Sequence, residues 1–409
     1  MGGILVIFNS LLYIIALYRH WSITRKTDVG FVLLLIYAFI AVFCAANYFR
    51  VPKMFPGLSL WPFLYLFIVL MLFMRPFLTY SSVIIGKVDF GNGKLLKRFS
   101  QLYVFLGIIT VYYGYNDIYT TLFLSDWKDV IGESFQEGGH ELYRNQVERL
   151  SKIFCGYTSF LALIASFYYM SSSQRKYLLS SCLLFLFLFT ILYTGIVNGS
   201  RGVFVGVIFQ VLVGYALFKD HIVPKVKKIL GLSGIIAISL IISILAALTI
   251  TRFSKVNWDA DYDDPISSAF SYLGQSMLVF NDGIADSIQK YMWGDFMFGT
   301  NAGLYKNGLD AVLGTHCDSL FFTFVGCLYL DFGPIFTLFL ALLIPQLICK
   351  SIEKKKVKIS SLFLYVYFAT FIASGVFVVG SGYYIVLLMT FLIYLVLYRL
   401  EKLEVFKKK

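Results

Sequence analysis

YLLSSCLLFLFLFTILYTGIV (residues 177–197) is followed by NGSRG (198–202) and then by VFVGVIFQVLVGYALF (203–218). Across the 42 residues from 177 to 218 there is one charged side chain, Arg201. An apolar run of about 20 residues crosses roughly 30 Å of hydrocarbon at 1.5 Å per helical residue. The pair therefore reads as two membrane spans, Tyr177–Val197 and Gly202–Phe218, joined by a short corner that holds an arginine.

The same pattern repeats on both sides of this hairpin. Before it lie Gly3–Tyr18, Gly30–Tyr48, Leu58–Met74, Gln101–Leu124 and Ile153–Met170. After it come Ile229–Ile250, Phe332–Cys349, Ile359–Phe377 and Tyr383–Tyr398. This predicts an all-α polytopic integral membrane protein, a single bundle over residues 1–409 with about eleven transmembrane helices (ten to twelve). The composition agrees: 59% of the residues are apolar and 14% charged, where a soluble domain carries about 25% charged residues. Gly3–Leu17 lacks the basic leading residues and small-residue cleavage site of a signal peptide.

A net charge of +12 would suit a nucleic-acid binder if it were spread over one soluble face, but its distribution follows the loops. Alternate loops hold 24 of the 35 basic residues, from Arg19, Arg25 and Lys26 to the tail Arg399, Lys402 and Lys407–Lys409. Loops rich in Lys and Arg stay in the cytoplasm, which puts the N-terminus outside and the C-terminus inside. No nucleic acid is expected as a partner; the lipid bilayer is. Two outer loops are long: an acidic one at 125–152, and one at 251–331 between the eighth and ninth spans. Within the second, Ile266–Phe280 reads as an amphipathic helix lying at the interface. Ser319–Leu330 is too short to span, and either re-enters or extends the next helix. No internal repeat is present, which weighs against a secondary transporter.

Chemistry-bearing residues gather on the outer side. Arg201 sits between two glycines, which let backbone approach a ligand closely, and a helix N-terminus just after it adds a positive dipole end. A guanidinium binds phosphate through two parallel hydrogen bonds. With Asn198 and Ser200, this corner suits a diphosphate; the alternative is an arginine snorkelling from a tight turn. Arg252 stands where the eighth span emerges, either as a second phosphate ligand or as an interfacial anchor. His316, in Gly314-Thr315-His316-Cys317-Asp318, lies late in the large loop, and a neutral imidazole there suits removing a proton from a hydroxyl. Asp318 either orients His316 or is itself the base. Asp331 opens a span as a base or a helix N-cap. The acids Asp259, Asp261, Asp263 and Asp264 lack the spacing of a calcium loop, and the six cysteines show no CxxC pair. No metal or cofactor is expected. Neither a glycine-rich nucleotide loop nor a DxD motif lies on the cytoplasmic side, which speaks against a transferase using nucleotide sugars.

At the Gly199-Ser200-Arg201-Gly202 corner, Arg252 and Asp331-Phe332-Gly333 after a long outer loop, the chain resembles the oligosaccharide repeat-unit polymerases, the Wzy-type O-antigen or capsule polymerases. The resemblance implies glycosyl transfer from an undecaprenyl-diphosphate-linked oligosaccharide onto an incoming lipid-linked unit, at the outer face of a bacterial inner (plasma) membrane. It implies diphosphate binding by Arg201 and Arg252, a base among His316, Asp318 and Asp331, and a chain-length regulator and a flippase as partners. The related O-antigen ligases share the order arginine, arginine, histidine, matched here by Arg201, Arg252 and His316. Where the polymerases carry an Asn- or Thr-rich segment before the late span, this chain has Thr315-His316-Cys317-Asp318-Ser319. A ligase-like transferase and an exporter of lipid-linked sugar are the alternatives; an exporter predicts charges buried mid-helix.

Overall fold

In a computed structural model, the described residues are 1–81, 84–89, 93–120, 144–171, 173–197, 201–234, 239, 273–285, 323–376 and 383–406. They form helices α1 (Gly2–Thr24), α2 (Val29–Arg50), α3 (Leu60–Tyr80), α4 (Lys94–Tyr119), α5 (Gln146–Tyr157), α6 (Ser159–Met170), α7 (Tyr177–Val197), α8 (Arg201–Phe218), α9 (Thr323–Ile352), α10 (Ile359–Ser374) and α11 (Tyr383–Phe406). No strand occurs among the described residues, only two isolated bridges. Six of these helices are long and apolar enough to cross a membrane, and α5 with α6 makes a seventh if a bent pair counts as one. Their outer faces are apolar: Ile4, Ile7, Leu11 and Ile15 on α1, and Ile335, Phe339, Leu342 and Leu347 on α9, are all exposed. Such stripes suit lipid and would be an aggregation hazard in water.

The chain divides into two compact units. The first comprises Met1–Val83, Ile242–Glu353 and Phe371–Leu387. Its helices α1 and α2 form a hairpin closed at Asp28, which caps α2 by accepting the Phe31 N–H (2.9 Å) and meets His20 Nε2 at 2.9 Å. Burial pushes the Asp28 carboxyl up, but the hydrogen bonds with His20 and the Phe31 N–H outweigh it and hold the group below the ordinary carboxylate value. The Val29 N–H donates to Ser81 Oγ (2.9 Å), and the Tyr80 hydroxyl donates to Glu353 (2.6 Å). The α1–α2 loop with Arg25 and Lys26, the close of α3 and the close of α9 therefore share one end of this unit.

Two further buried helical segments complete this unit. α9 is broken at Gly333 (φ 76°, ψ 175°), immediately before Pro334. The stretch 323–331 is buried throughout. Its Phe324 ring meets Phe73, 13 residues along α3, which is roughly 20 Å down that helix. Its Tyr329 meets Tyr65, close to the start of α3. This half-helix thus begins deep in the unit and climbs, and after Gly333 the remainder of α9 descends to Glu353. The sequence expectation that 319–330 re-enters or extends the next span is met in its described part by both at once.

The second feature is a helical segment at 273–285, π-helical over Phe280–Ala285. The described part of the expected interfacial helix Ile266–Phe280 is not at an interface: residues 274–280 are buried. Gly274 packs directly on the Phe43 carbonyl, which leaves no room for a Cβ. Asn281 exchanges two hydrogen bonds with the Ser59 backbone (2.8 and 2.9 Å), and Asp282 accepts the Gly57 N–H (2.6 Å). Asn281 and Asp282 thus find their partners in distant backbone.

The second unit comprises Ile84–Ile241, Lys354–Thr370 and Leu388–Lys409. Glycines let its helices approach: Gly107 against Leu186, Gly114 against Phe189 and Tyr193, Gly195 against Val203, and Gly214 against Phe167. Where lipid tails are as apolar as leucine, such close packing is a main source of helix association. α6 and α7 are also tied by two hydroxyls, Ser166 to the Ser180 carbonyl (2.9 Å) and Ser180 to the Ser166 carbonyl (2.7 Å). The single span expected at Ile153–Met170 is in fact two helices that meet at 62° across Thr158, whose hydroxyl bonds the Phe154 carbonyl (2.7 Å).

Candidate functional site

Of the residues singled out in the sequence, Arg201 and Asp331 fall among those described. Arg201 is the first residue of α8, at the helix N-terminus expected for it. Gly195 and Val203 are in contact just below, a Cβ on Gly195 lying 3.0 Å from Val203 Cγ1. This holds the end of α7 and the start of α8 side by side. Asn198, Ser200, Arg252, His316 and Asp318 lie outside the described residues. So does Cys317; the other five cysteines are unbridged.

Asp331 is fully buried, in the last turn of the half-helix that climbs from Thr323. The backbone leaves helical geometry two residues later, at Gly333, so Gly333 occupies the N-cap position of the descending helix. The N-cap role open to Asp331 in the sequence is thereby removed, and it stands instead as an acid inside the first unit. Beside it, the Tyr65 hydroxyl donates to the Pro334 carbonyl (2.7 Å), which ties the break to the start of α3.

A second polar cluster, in the other unit, has no counterpart in the sequence reading. Lys152 Nζ lies 2.7 Å from Asp117 and 2.7 Å from Glu148, with its side chain almost fully buried. Arg144 Nη2 takes the other Asp117 oxygen at 2.6 Å. Asn145 caps α5 by accepting the Glu148 N–H (2.8 Å), and Glu148 in turn accepts the Arg144 N–H (2.8 Å). The Lys152 ammonium also stands 5.3 Å from the centroid of Tyr193, on the last turns of α7. Two acids and two bases cancel, and both Asp117 oxygens are engaged. The cluster therefore fixes geometry, binding α4, α5 and α7 at the end of the unit where α8 starts, and supplies no free base. The i,i+4 pair Glu148 and Lys152 was its one sequence signal.

No group of three or more His, Cys, Asp or Glu that could hold a metal occurs among the described residues. No family model, characterised protein or solved structure matches the chain. Its fold defines a class: an all-α membrane protein with several spanning helices, here built as two units with a re-entrant half-helix in the first.

Proposed function

We propose that this chain is a membrane glycosyltransferase that joins oligosaccharide units carried on undecaprenyl diphosphate, acting as a polysaccharide polymerase. The observation that carries the reading is Arg201: the sole charge in 42 residues, it begins a helix at the end of a tightly packed hairpin. A guanidinium there, with a helix N-terminus behind it, favours an anion.

In this mechanism Arg201 and Arg252 hold the diphosphate and stabilise the charge that develops as it leaves. His316, or failing it Asp318 or Asp331, takes the proton from the attacking sugar hydroxyl. The anomeric carbon–oxygen bond to the diphosphate breaks as the new glycosidic bond forms, so neither nucleotide nor metal is consumed. Replacing Arg201 by Lys keeps the charge and loses the two-pronged geometry. The expected result is a fall in polymer of about a hundred- to a thousandfold in rate, with single units still attached to their acceptor. Polymer of normal amount and length would dismiss the clamp. Loss of all attached glycan on deleting the chain would favour the ligase alternative.

A further inference from the structure

The second unit has a concave basic site remote from Arg201. A cavity of about 360 Å³ lies where α4 begins and the α6–α7 loop passes, and it is lined by Gly93, Lys94, Lys97, Tyr168, Tyr169, Gln174 and Lys176. Lys94 and Lys97 occupy the first turn of α4, where the helix dipole is already positive and acids are the favoured residues. That turn contains no acid, and its N-cap, Gly93, offers no side-chain cap. Gly93 has a left-handed backbone (φ 65°), and a Cβ there would face the Tyr168 hydroxyl at 3.8 Å. From the other wall Lys176 Nζ stands 5.5 Å from the Tyr169 ring centroid. None of the three lysines makes an ion pair among the described residues.

Tyr169, on the wall of the cavity, is 2% exposed, with Ser100 beside its hydroxyl. Three cations from two elements and a positive helix end ask for the same partner, a compact anion with several acceptor oxygens.

We propose that this cavity is a phosphate site, filled by the phosphodiester of an anionic phospholipid headgroup or by free phosphate. Its place at the basic ends of α4 and α7 is where juxtamembrane lysines meet anionic lipid. The site is independent of the diphosphate reading at Arg201.

The test titrates the full-length chain in detergent with soluble short-chain phosphatidylglycerol, with short-chain phosphatidylcholine, and with inorganic phosphate against chloride at equal ionic strength, reading thermal stabilisation and bound ligand by native mass spectrometry. Phosphatidylglycerol should stabilise the protein and phosphatidylcholine should not. Stabilisation by inorganic phosphate as well would make the free anion sufficient; its absence would assign the site to the headgroup. The triple variant K94Q/K97Q/K176Q should bind about a hundredfold more weakly, while K225Q/K227Q/K228Q, equally basic and elsewhere, should bind as the parent does. Equal losses in the two triples, unchanged binding in the first, or no binding by the parent would each overturn the proposal. If the first triple does not fold, K97E alone gives the same comparison at an exposed position.

Discussion

At the scale of single residues, the ion cluster around Lys152 separates geometry from charge count. Lys152 and Arg144 both reach Asp117, at 2.7 and 2.6 Å, but Lys152 is almost fully buried and Arg144 is nearly half exposed. Removing a buried partner leaves carboxylates without compensation, which costs about 3–5 kcal/mol. Removing an exposed one costs about 1 kcal/mol or less. Lys152→Met should therefore lower the unfolding temperature in detergent by several times the drop given by Arg144→Met, and equal drops would show the cluster to be a surface network. Asp331 teaches a related lesson. Its acid beside a glycine was legible, whereas its role as a helix cap was excluded by the backbone, because only coordinates reveal that Gly333 sits in the non-helical position. The lysine escaped notice because Asp117 and Lys152 lie 35 residues apart, and the sequence window shows only the i,i+4 half of the arrangement.

At the scale of elements, hydropathy located the helices of the described residues and missed their breaks. Apolar content over Ile153–Met170 reads as one span, and a lone Gly156 two residues before Thr158 does not by itself announce that the axis turns there by 62°. Residues 273–285 look amphipathic because Gln275, Ser276, Asn281 and Asp282 interrupt an apolar run. Asn281 and Asp282 find their partners at Ser59 and Gly57, more than 220 residues away, and only a folded chain supplies them. The break at Gly333 falls at a Gly-Pro pair within a long apolar run, where residue type dictates conformation. With φ at 76° and ψ at 175° the position is in a region that only glycine occupies cheaply. Gly333→Ala should destabilise the protein by about 1–3 kcal/mol and displace the half-helix from Tyr65 and Phe73. Restored stability in a Gly333→Ala/Pro334→Ala pair, which permits a continuous helix, would identify the break as the strained point. An unchanged unfolding temperature for the single variant would mean that the chain does not reverse there.

At the scale of the whole molecule, charge and geometry make separate statements that can be compared. Within the first unit, the α1–α2 loop, the close of α3 and the close of α9 gather at one end, joined through Val29 to Ser81 and Tyr80 to Glu353. That end holds Arg25, Lys26 and Lys350. Within the second, Lys94, Lys97 and Lys176 line one cavity, and the Asp117 and Glu148 carboxylates sit with α5 at the far end of α4. In each unit these basic side chains gather at one end of the helices, the pattern expected if that end faces the cytoplasm. Single cysteines on a cysteine-free background test the alternation in whole cells with a membrane-impermeant thiol reagent. Cysteine at Lys53 or Asn145 should label from outside; cysteine at Lys26 or Lys176 should label only after the membrane is opened. Labelling of Lys26 and Asn145 from the same side would place a basic end and an acidic end in one compartment, and would remove the outer aqueous face that the proposed transfer needs Arg201 to share with the 251–331 loop.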